Sequence, residues 1–278
     1  FFHLINQNRM LSLLTASSLG FAPIAPLPAS GVHARLSQPV METEEDLKVL
    51  ASKLNPAVGY WNPTPLVDME FWGQSQEATI GFLRQAEIKH GRVAMAAFVG
   101  FCLQANGFHW PWACTLEGLS FGDISAAGGP AAQWDALPTN AKFQILGFVG
   151  FLEWWGENSY ALAQSGEKHY MRGGKPGFYP SFNKGNIPHP VPLELFDPFG
   201  LQSKMTPEQK EKSLLAEINN GRLAMIGVMG LICVSKGLIV PGLDGVKIEA
   251  YTGQYMAPFA ASDNLPFIAD MLKVNLGL

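Results

Sequence analysis

Two nine-residue stretches, EIKHGRVAM at residues 87–95 and EINNGRLAM at residues 217–225, carry the same pattern of side chains. Both keep Glu, Ile, Gly, Arg, Ala and Met in the same order, at a constant offset of 130 residues. Each stretch opens an apolar segment and nevertheless places a carboxylate and a guanidinium there. An internal repeat in an apolar chain indicates two related elements that pack about a pseudo-two-fold axis.

The spacing within each copy decides which charges can meet. On a helix, side chains three residues apart share a face, whereas side chains five residues apart point about 140° away from each other. Glu87 therefore cannot pair neatly with Arg92 in its own copy. If the two copies cross at the motif, Glu87 meets Arg222 and Glu217 meets Arg92. We expect these two reciprocal interhelix ion pairs, because an unpaired charge in apolar surroundings costs several kcal/mol.

The composition excludes several classes of protein. Charged residues make up only 15 % of the chain, against about 25 % in ordinary soluble domains. The formal charge of −4 is spread thinly, without the basic stripe of a nucleic-acid-binding protein. Three cysteines without CxxC spacing predict neither a disulfide framework nor a zinc site.

Three apolar segments, at residues 75–108, 140–160 and 207–235, predict membrane helices. None is a continuous run of about 20 apolar residues. By length alone, the three segments could therefore also be buried helices of a soluble protein. The charges favour membrane helices, because no Lys or Arg lies between Arg92 and Lys142, whereas the connection before Lys212 is rich in them. We therefore predict an all-α membrane protein with three transmembrane helices and long structured loops. The first and third helices would form a crossed pseudo-two-fold pair, with small residues at the crossing.

Each copy of the motif also offers metal-ligating atoms. A carboxylate has more lone pairs than one arginine occupies, and His90 or Asn220 lies three residues further on, on the same face. Oxygen and nitrogen atoms of this kind suit a hard divalent cation. A magnesium ion held in a chlorin ring needs one axial ligand of this type and no net negative charge.

The paired E-x-x-[HN]-x-R-x-A-M segments resemble those of the light-harvesting chlorophyll-binding antenna family, over about residues 55–260. The resemblance implies that Glu87 and Glu217, the two glutamates paired with arginine, each bind the magnesium of one chlorophyll. It also implies that His90 and Asn220 bind two more. In the middle span the family's Gln and Glu ligands match two further positions. The implied magnesium ligands are Glu87, His90, Gln144, Glu153, Glu217 and Asn220.

Other segments are similar to the chlorophyll a/c antennae of algae with secondary plastids. VGYWNP at 58–63 and FDPFGL at 196–201 resemble segments that hold carotenoid ends, and the tail YTGQYMAPFA at 251–260 resembles dinoflagellate and fucoxanthin-type antennae. The resemblance implies chlorophyll a, chlorophyll c and carotenoids of the peridinin or fucoxanthin type with diadinoxanthin, and magnesium only within chlorophyll. Two residues depart from the family's pattern: Asn62 stands where the first loop often has Asp, and Val234 stands where many members have a Gln ligand. The resemblance therefore implies no side-chain ligand for a chlorophyll at position 234.

The resemblance implies a light-harvesting antenna and not an enzyme. It would pass excitation energy to a photosystem core (I or II), beside neighbouring antenna subunits and thylakoid lipids, as a multi-pass protein of the chloroplast thylakoid membrane. The predicted organisation is a targeting-like or extended segment at 1–35, a loop region on the positive (stromal) side at 36–74, a three-helix chlorophyll-binding domain at 75–260 and a tail at 261–278.

Three alternatives stay open at this point. A photoprotective quencher of the same family would sense pH through carboxylates on the other side of the membrane, here Glu117, Asp123 or Asp135. A carboxylate-bridged di-metal enzyme also uses E-x-x-H motifs, but the second copy here is E-x-x-N and an arginine accompanies each Glu. A transporter would line a path with intramembrane charges, for which three spans are few.

Overall fold

The computed structural model describes residues 42–182, 197, 199–201, 204–243, 245–268 and 270. The targeting-like segment predicted at 1–35 lies outside these residues, as do residues 196 and 198 of the segment 196–201. Within the described part of the chain the structure is helical and contains no β-strand, only an isolated bridge between Ala113 and Ser120. The all-α prediction is therefore confirmed for these residues.

Seven α-helices follow one another along the described residues. Their bounds are α1 Glu44–Leu54, α2 Gln76–Ala105, α3 Phe121–Ser125, α4 Pro130–Asp135, α5 Thr139–Glu157, α6 Ser159–Gln164 and α7 Pro207–Ser235. The long helices α2, α5 and α7 coincide with the three predicted apolar segments within a few residues. Helix α2 stops before the predicted end at residue 108 because Gly107 adopts a positive φ of 73°, a conformation that glycine reaches without steric cost.

Local capping explains the shorter helices that the sequence reading had assigned to loops. Helix α1 lies within the region 36–74, which was predicted as a loop, and it begins with a capping box in which Thr43 and Asp46 exchange hydrogen bonds. Ser120 and Asp123 form the same arrangement at α3. A capping box satisfies backbone N–H groups that would otherwise lack partners at the start of a helix. Helical turns in these connections are therefore stabilised locally.

The chain divides into two compact units, and each long helix contributes residues to both. In the described part, the motif unit comprises residues 42–95 and 149–225, and the C-terminal unit comprises residues 96–148 and 226–270. In the motif unit, Trp155 stacks on Phe182 with ring centroids 5.5 Å apart, and Ala161 completes this cluster. The core of the C-terminal unit is built on Phe101, Cys102 and Leu231.

The long helices differ in how well they suit a membrane by composition. At 1.5 Å per residue, even the 19-residue α5 is about 28 Å long, close to the ~30 Å of a bilayer core. By length and hydropathy together, α7 alone among the described helices qualifies as a candidate span. Large apolar side chains on all three helices are nevertheless exposed, among them Val93, Phe148 and Ile226. Exposed apolar surface of this extent indicates contact with lipid or with apolar ligands.

Candidate functional site

The two copies of the repeated motif meet inside the motif unit. Arg92 Nε lies 2.6 Å from Glu217 Oε1, and Arg222 Nη2 lies 2.7 Å from Glu87 Oε1. Each arginine thus pairs with the glutamate of the other helix and not with the one five residues before it. Both glutamate side chains are largely removed from solvent, with 24 % and 30 % exposure. The site therefore consists of two crossed and oppositely charged pairs that hold α2 and α7 in register.

Two glycines make this crossing possible. A Cβ atom at Gly221 would lie 2.8 Å from the Cα of Gly91, and a Cβ at Gly91 would lie 3.0 Å from the Cα of Gly221. Because backbone faces backbone at this point, any larger residue would push the helices apart. The close approach brings the arginines within reach of the opposite glutamates, in the manner of small-residue helix crossings in membranes.

The two pairs are not equivalent, because Glu87 has a second cationic partner that the sequence reading missed. The buried Arg84 reaches Glu87 Oε2 through Nη1, and its Nε lies 3.1 Å from Glu42 Oε2. The signal in the sequence was the spacing of three residues between Arg84 and Glu87, which places both on one helix face. Glu217 has one cationic partner among the described residues.

On the other side of the crossing, Arg92 is anchored by the connection that follows α6. Its Nη1 donates to the carbonyl of Gly177 at 2.7 Å. The N–H of Gly177 in turn donates to Gln85 Oε1 at 2.6 Å. The guanidinium therefore bridges the carboxylate of Glu217 and a backbone carbonyl, which fixes its orientation.

Both glutamates keep electron pairs available for a ligand. Among the described residues, Glu217 Oε2 has no hydrogen-bond partner, while Oε1 accepts from Arg92. Glu87 uses both oxygens, Oε1 for Arg222 and Oε2 for Arg84, but each carboxylate oxygen carries two lone pairs. The arginines cancel the charge without consuming all acceptors, which fits one axial bond to a magnesium ion that is already neutralised by a tetrapyrrole.

His90 is oriented in a way that suits a metal ligand. Its Nδ1 lies 2.7 Å from the carbonyl oxygen of Ala86. Since a carbonyl can only accept, Nδ1 carries the proton, and the neutral ring keeps its electron pair on Nε2. A backbone carbonyl commonly orients metal-binding imidazoles in this way. The exposed His90 ring therefore presents a free Nε2 beside the Glu87 pair.

The equivalent position in the second copy is Asn220, which makes no hydrogen bond through its side chain within the described residues. Its neighbour Asn219 points elsewhere and donates to the carbonyl of Leu54 at 3.3 Å. The partly buried Asn220 thus keeps its amide oxygen available. An amide oxygen is a suitable ligand for magnesium.

The two middle-helix candidates lie in different surroundings. Gln144 is exposed on the part of α5 that belongs to the C-terminal unit. Glu153 belongs to the motif unit, where Lys89 Nζ contacts its Oε2 and lies 3.3 Å from Glu157 Oε1. Lys89 was missed by the sequence reading, because no local spacing links residues 89 and 153. The carboxylate of Glu153 is thereby accompanied by a cation, as are Glu87 and Glu217.

Two of the three carboxylates considered for pH sensing, Asp123 and Asp135, accept hydrogen bonds from described residues. Asp123 accepts hydrogen bonds from the hydroxyl and the backbone N–H of Ser120, and these bonds lower the pKa of its carboxyl group. Asp135 Oδ2 accepts from the hydroxyl of Tyr251 at 2.8 Å. A lowered pKa makes Asp123 a poor sensor at mildly acidic pH. Glu117 is exposed.

The described residues hold no group of three or more His, Cys, Asp or Glu side chains that could bind a metal ion. Carboxylate-bridged di-metal sites need several acidic and histidine side chains converging on one point. Here each motif glutamate faces an arginine instead. This geometry fits single axial ligands better than a bridged metal centre.

Comparison with known proteins identifies the family of this chain. The model of the family described as Chlorophyll A-B binding protein matches residues 47–236. The chain is 30 % identical over 233 residues to fucoxanthin-chlorophyll a-c binding protein B, chloroplastic, of Phaeodactylum tricornutum, covering 84 % of this chain and 96 % of that protein. It is 27 % identical over 221 residues to the fucoxanthin-chlorophyll a-c binding protein, chloroplastic, of Trieres chinensis, covering 80 % of this chain and 90 % of that protein.

A third relative is fucoxanthin-chlorophyll a-c binding protein D, chloroplastic, of Macrocystis pyrifera, with 30 % identity over 175 residues, 63 % of this chain and 79 % of that protein. The matched region of the family model contains all of α2, α5 and α7 and therefore both copies of the motif. The chain belongs to the chlorophyll a/b-binding protein family. This confirms the resemblance inferred from the paired motifs, and the members of this family are pigment-binding antenna proteins and not enzymes.

Proposed function

We propose that this protein is a light-harvesting antenna that binds chlorophylls a and c and carotenoids and passes excitation energy to a photosystem. The crossed pairs Glu87–Arg222 and Arg92–Glu217 carry the proposal, because they place neutralised carboxylates at the surface of apolar helices. The relatives named above are fucoxanthin-chlorophyll a-c binding proteins, which supports a fucoxanthin-type carotenoid. Peridinin and diadinoxanthin stay predictions.

In this proposal six side chains bind chlorophyll magnesium through one oxygen or nitrogen each: Glu87, His90, Gln144, Glu153, Glu217 and Asn220. The free Nε2 of His90 and the unpaired Oε2 of Glu217 support this assignment. The pigments supply the photochemistry, while the protein positions and separates them. The partners are a photosystem core, neighbouring antenna subunits and thylakoid lipids.

Pigment analysis of the purified protein tests the function directly. Solvent extraction and chromatography should yield chlorophyll a, chlorophyll c and an oxygenated carotenoid in a fixed molar ratio to the chain. Excitation of the carotenoid should then appear as chlorophyll fluorescence from the intact protein. A protein that contains iron and no extractable pigment would instead support the di-metal enzyme.

We further propose that α2, α5 and α7 each cross the thylakoid membrane. Region 36–74 and the Lys- and Arg-rich connection between residues 160 and 212 would lie on the stromal side, and residues 109–138 on the opposite side. The domain at 75–260 would hold the pigments, and 261–278 would form a tail. The lengths of α2, α5 and α7 and the exposed apolar side chains on these helices support three spans. The absence of Lys and Arg between Arg92 and Lys142 supports this orientation.

Cys114 offers a native probe of this topology. It is half-buried in the 109–138 connection, whereas Cys102 is buried and the half-buried Cys233 lies within the proposed span α7. In sealed vesicles with the stromal side outward, a membrane-impermeant thiol reagent should leave Cys114 unlabelled until the vesicles are opened. A Lys175→Cys variant, exposed in the opposite connection, should be labelled at once. Equal labelling of both positions in sealed vesicles would contradict three spans.

A further inference from the structure

A cavity of about 590 Å³ lies in the C-terminal unit, outside the two-helix crossing. Its volume falls in the range of about 300–1,000 Å³ that is typical of ligand sites. None of the described side chains lining it is charged: Gly100, Leu103, Gln104, Phe108, His109, Trp110, Phe121, Ile124, Pro130, Gln133, Trp134, Leu137 and Ile145. The cavity thus suits a flat, apolar molecule with few polar groups.

Trp110 on one wall of this cavity is supported by a second indole ring. Trp110 stacks on Trp112 with ring centroids 4.9 Å apart and an interplanar angle of 18°. Another wall is held by Gln133, which is 95 % removed from solvent (5 % exposed) and donates to the carbonyls of Gln104 at 3.1 Å and Gly128 at 2.8 Å. These bonds tie the end of α2 to the start of α4, so the walls are supported before any ligand binds.

His109 lines this cavity and has one ring nitrogen without a hydrogen-bond partner among the described residues. Its Nδ1 lies 3.1 Å from the carbonyl oxygen of Trp110. Because that oxygen can only accept, Nδ1 carries the proton and Nε2 keeps the electron pair, as at His90. Nε2 has no partner among the described residues, and the ring is exposed beside Gly122.

The histidines in the described part of the chain fall into two groups, according to whether Nε2 has a hydrogen-bond partner. His169 uses both nitrogens, since Nε2 lies 2.7 Å from Glu157 Oε2 and Nδ1 accepts from the N–H of Met171 at 3.2 Å. His90 and His109 each use only Nδ1 and keep Nε2 free. His109 therefore shares the electronic arrangement of a proposed ligand and not that of a structural histidine.

We infer that His109 Nε2 is the axial ligand of a further magnesium tetrapyrrole, seated in the cavity between the end of α2 and helices α3 and α4. The inference rests on the proposed function, because it assigns an additional pigment to the same protein. It needs a ring with a bound metal, so it excludes a carotenoid as the occupant. Gln104, whose side chain also lines the cavity, is the competing oxygen donor.

The test is pigment stoichiometry in variants of the full chain, reassembled with a mixture of chlorophylls and carotenoids. His109→Leu should lose one chlorophyll and one magnesium per chain. His109→Gln, which supplies an amide oxygen as a ligand in place of the imidazole, should retain most of this chlorophyll. His109→Gly should lose the pigment and regain it when imidazole is added, a rescue that a purely structural role would not produce.

The outcomes separate this inference from the proposed function. If the unaltered chain binds no chlorophyll, the proposed function fails. If it binds chlorophyll and His109→Leu retains the full number, the inference alone is overturned. Loss of a carotenoid instead of a chlorophyll in His109→Leu also overturns it, as does loss of the chlorophyll in Gln104→Leu together with its retention in His109→Leu.

Discussion

At the scale of single residues, the two crossed ion pairs are built from the same motif but are unequal in strength. Arg222 shares Glu87 with Arg84, whereas Arg92 is the single cationic partner of Glu217 among the described residues. When an arginine is removed, the half-buried glutamate that remains is destabilised unless another cation accompanies it. The number of alternative partners should therefore decide how much each arginine matters.

We expect Arg92→Ala to lower the free energy of unfolding by on the order of 1–2 kcal/mol and Arg222→Ala by less than about 1 kcal/mol, because solvent screens these half-exposed charges. Double-mutant cycles with Glu217→Gln and Glu87→Gln, measured by denaturant unfolding of the pigmented protein, separate the pair energies from the Arg92–Gly177 hydrogen bond. The exposed Arg172 has no ion pair in the described structure, and Arg172→Ala serves as the control. Equal coupling energies for the two pairs would contradict the asymmetry.

Adjacent asparagines on α7 allow a matched test of pigment binding. We expect Asn220→Ala to lose one chlorophyll with only a small change in thermal stability, because its amide makes no hydrogen bond to any described residue. Asn219→Ala removes a hydrogen bond to Leu54 instead and should keep every chlorophyll. Chromatographic pigment counts per chain distinguish the two, and an unchanged count in Asn220→Ala would remove this residue from the ligand set.

At the scale of the helices, the glycine contact sets the distance between α2 and α7. An alanine at Gly221 would bring its Cβ to 2.8 Å from the Cα of Gly91, which the backbone must relieve by moving. We expect Gly221→Ala to lower the free energy of unfolding by about 1–3 kcal/mol because of this strain. This holds even though alanine favours a helix over glycine by about 1 kcal/mol.

A helical glycine without close neighbours provides the control for this prediction. Gly147 in α5 has no atom within 4 Å of an added Cβ, so Gly147→Ala should leave thermal stability equal or slightly higher. Thermal unfolding followed by the loss of pigment circular dichroism measures both variants. A stable Gly221→Ala protein with intact pigment signals would mean that the helices can cross at a larger distance.

Helix positions followed well from the sequence, whereas the short connecting helices did not. The apolar segments predicted α2, α5 and α7 because hydrophobic length is a property of a continuous stretch. Helix α1 was predicted as a loop, although the sequence TEED at 43–46 contains the Thr and Asp of its capping box. A four-residue signal competes with many chance occurrences, so it is a weak predictor without the backbone geometry.

At the scale of the whole molecule, the C-terminal segment is tied to the start of α5 by a buried ion pair. Lys142 Nζ lies 2.6 Å from Asp263 Oδ2, and the two side chains are 0 % and 3 % exposed. Thr139 adds a hydrogen bond to Asp263 Oδ1 at 2.7 Å. The sequence predicts 261–278 as a C-terminal tail. This contact holds the start of that segment against α5.

The acid–base properties of this pair lead to a prediction. Burial alone raises the pKa of Asp263, but the hydrogen bonds from Lys142, Thr139 and the N–H of Ala260 outweigh it, so the pKa lies below its usual value. A lowered folded-state pKa contributes stability above the unfolded pKa, and this contribution disappears as the pH falls through the folded value. The pair should therefore survive mildly acidic conditions.

We expect Asp263→Asn to cost about 3–5 kcal/mol at neutral pH, because Lys142 keeps a buried charge without its partner. The contribution of this pair to the melting temperature of the unaltered chain should stay constant between pH 8 and about pH 5, because the carboxyl group is ionised throughout this range. The difference between the two proteins should shrink only at pH values below the usual range of a carboxyl group. Glu117→Gln, which neutralises an exposed carboxylate of the same unit, serves as a surface control.

Pigment removal should also change the stability of the molecule as a whole. Exposed apolar side chains on the long helices, such as Phe148, Ile226 and Met229, need a nonpolar neighbour. Ligands that bind only the folded state stabilise it by about 2.7 kcal/mol at a hundredfold excess over Kd. We expect solvent-stripped protein to unfold at a lower temperature and to aggregate, and pigment addition to restore the transition. Identical melting curves with and without pigments would contradict a structural role for them.

The sequence alone determined the helical class, the three apolar segments and the two glutamate–arginine motifs, because each depends on residues a few positions apart. The family followed from the motifs as well. Only the tertiary structure decided that Arg84 and Lys89 join the charged network, that His109 borders a cavity and that Asp263 lies buried against Lys142. These contacts join residues that local spacing does not link or whose burial it does not reveal, and burial determines how strongly such groups interact.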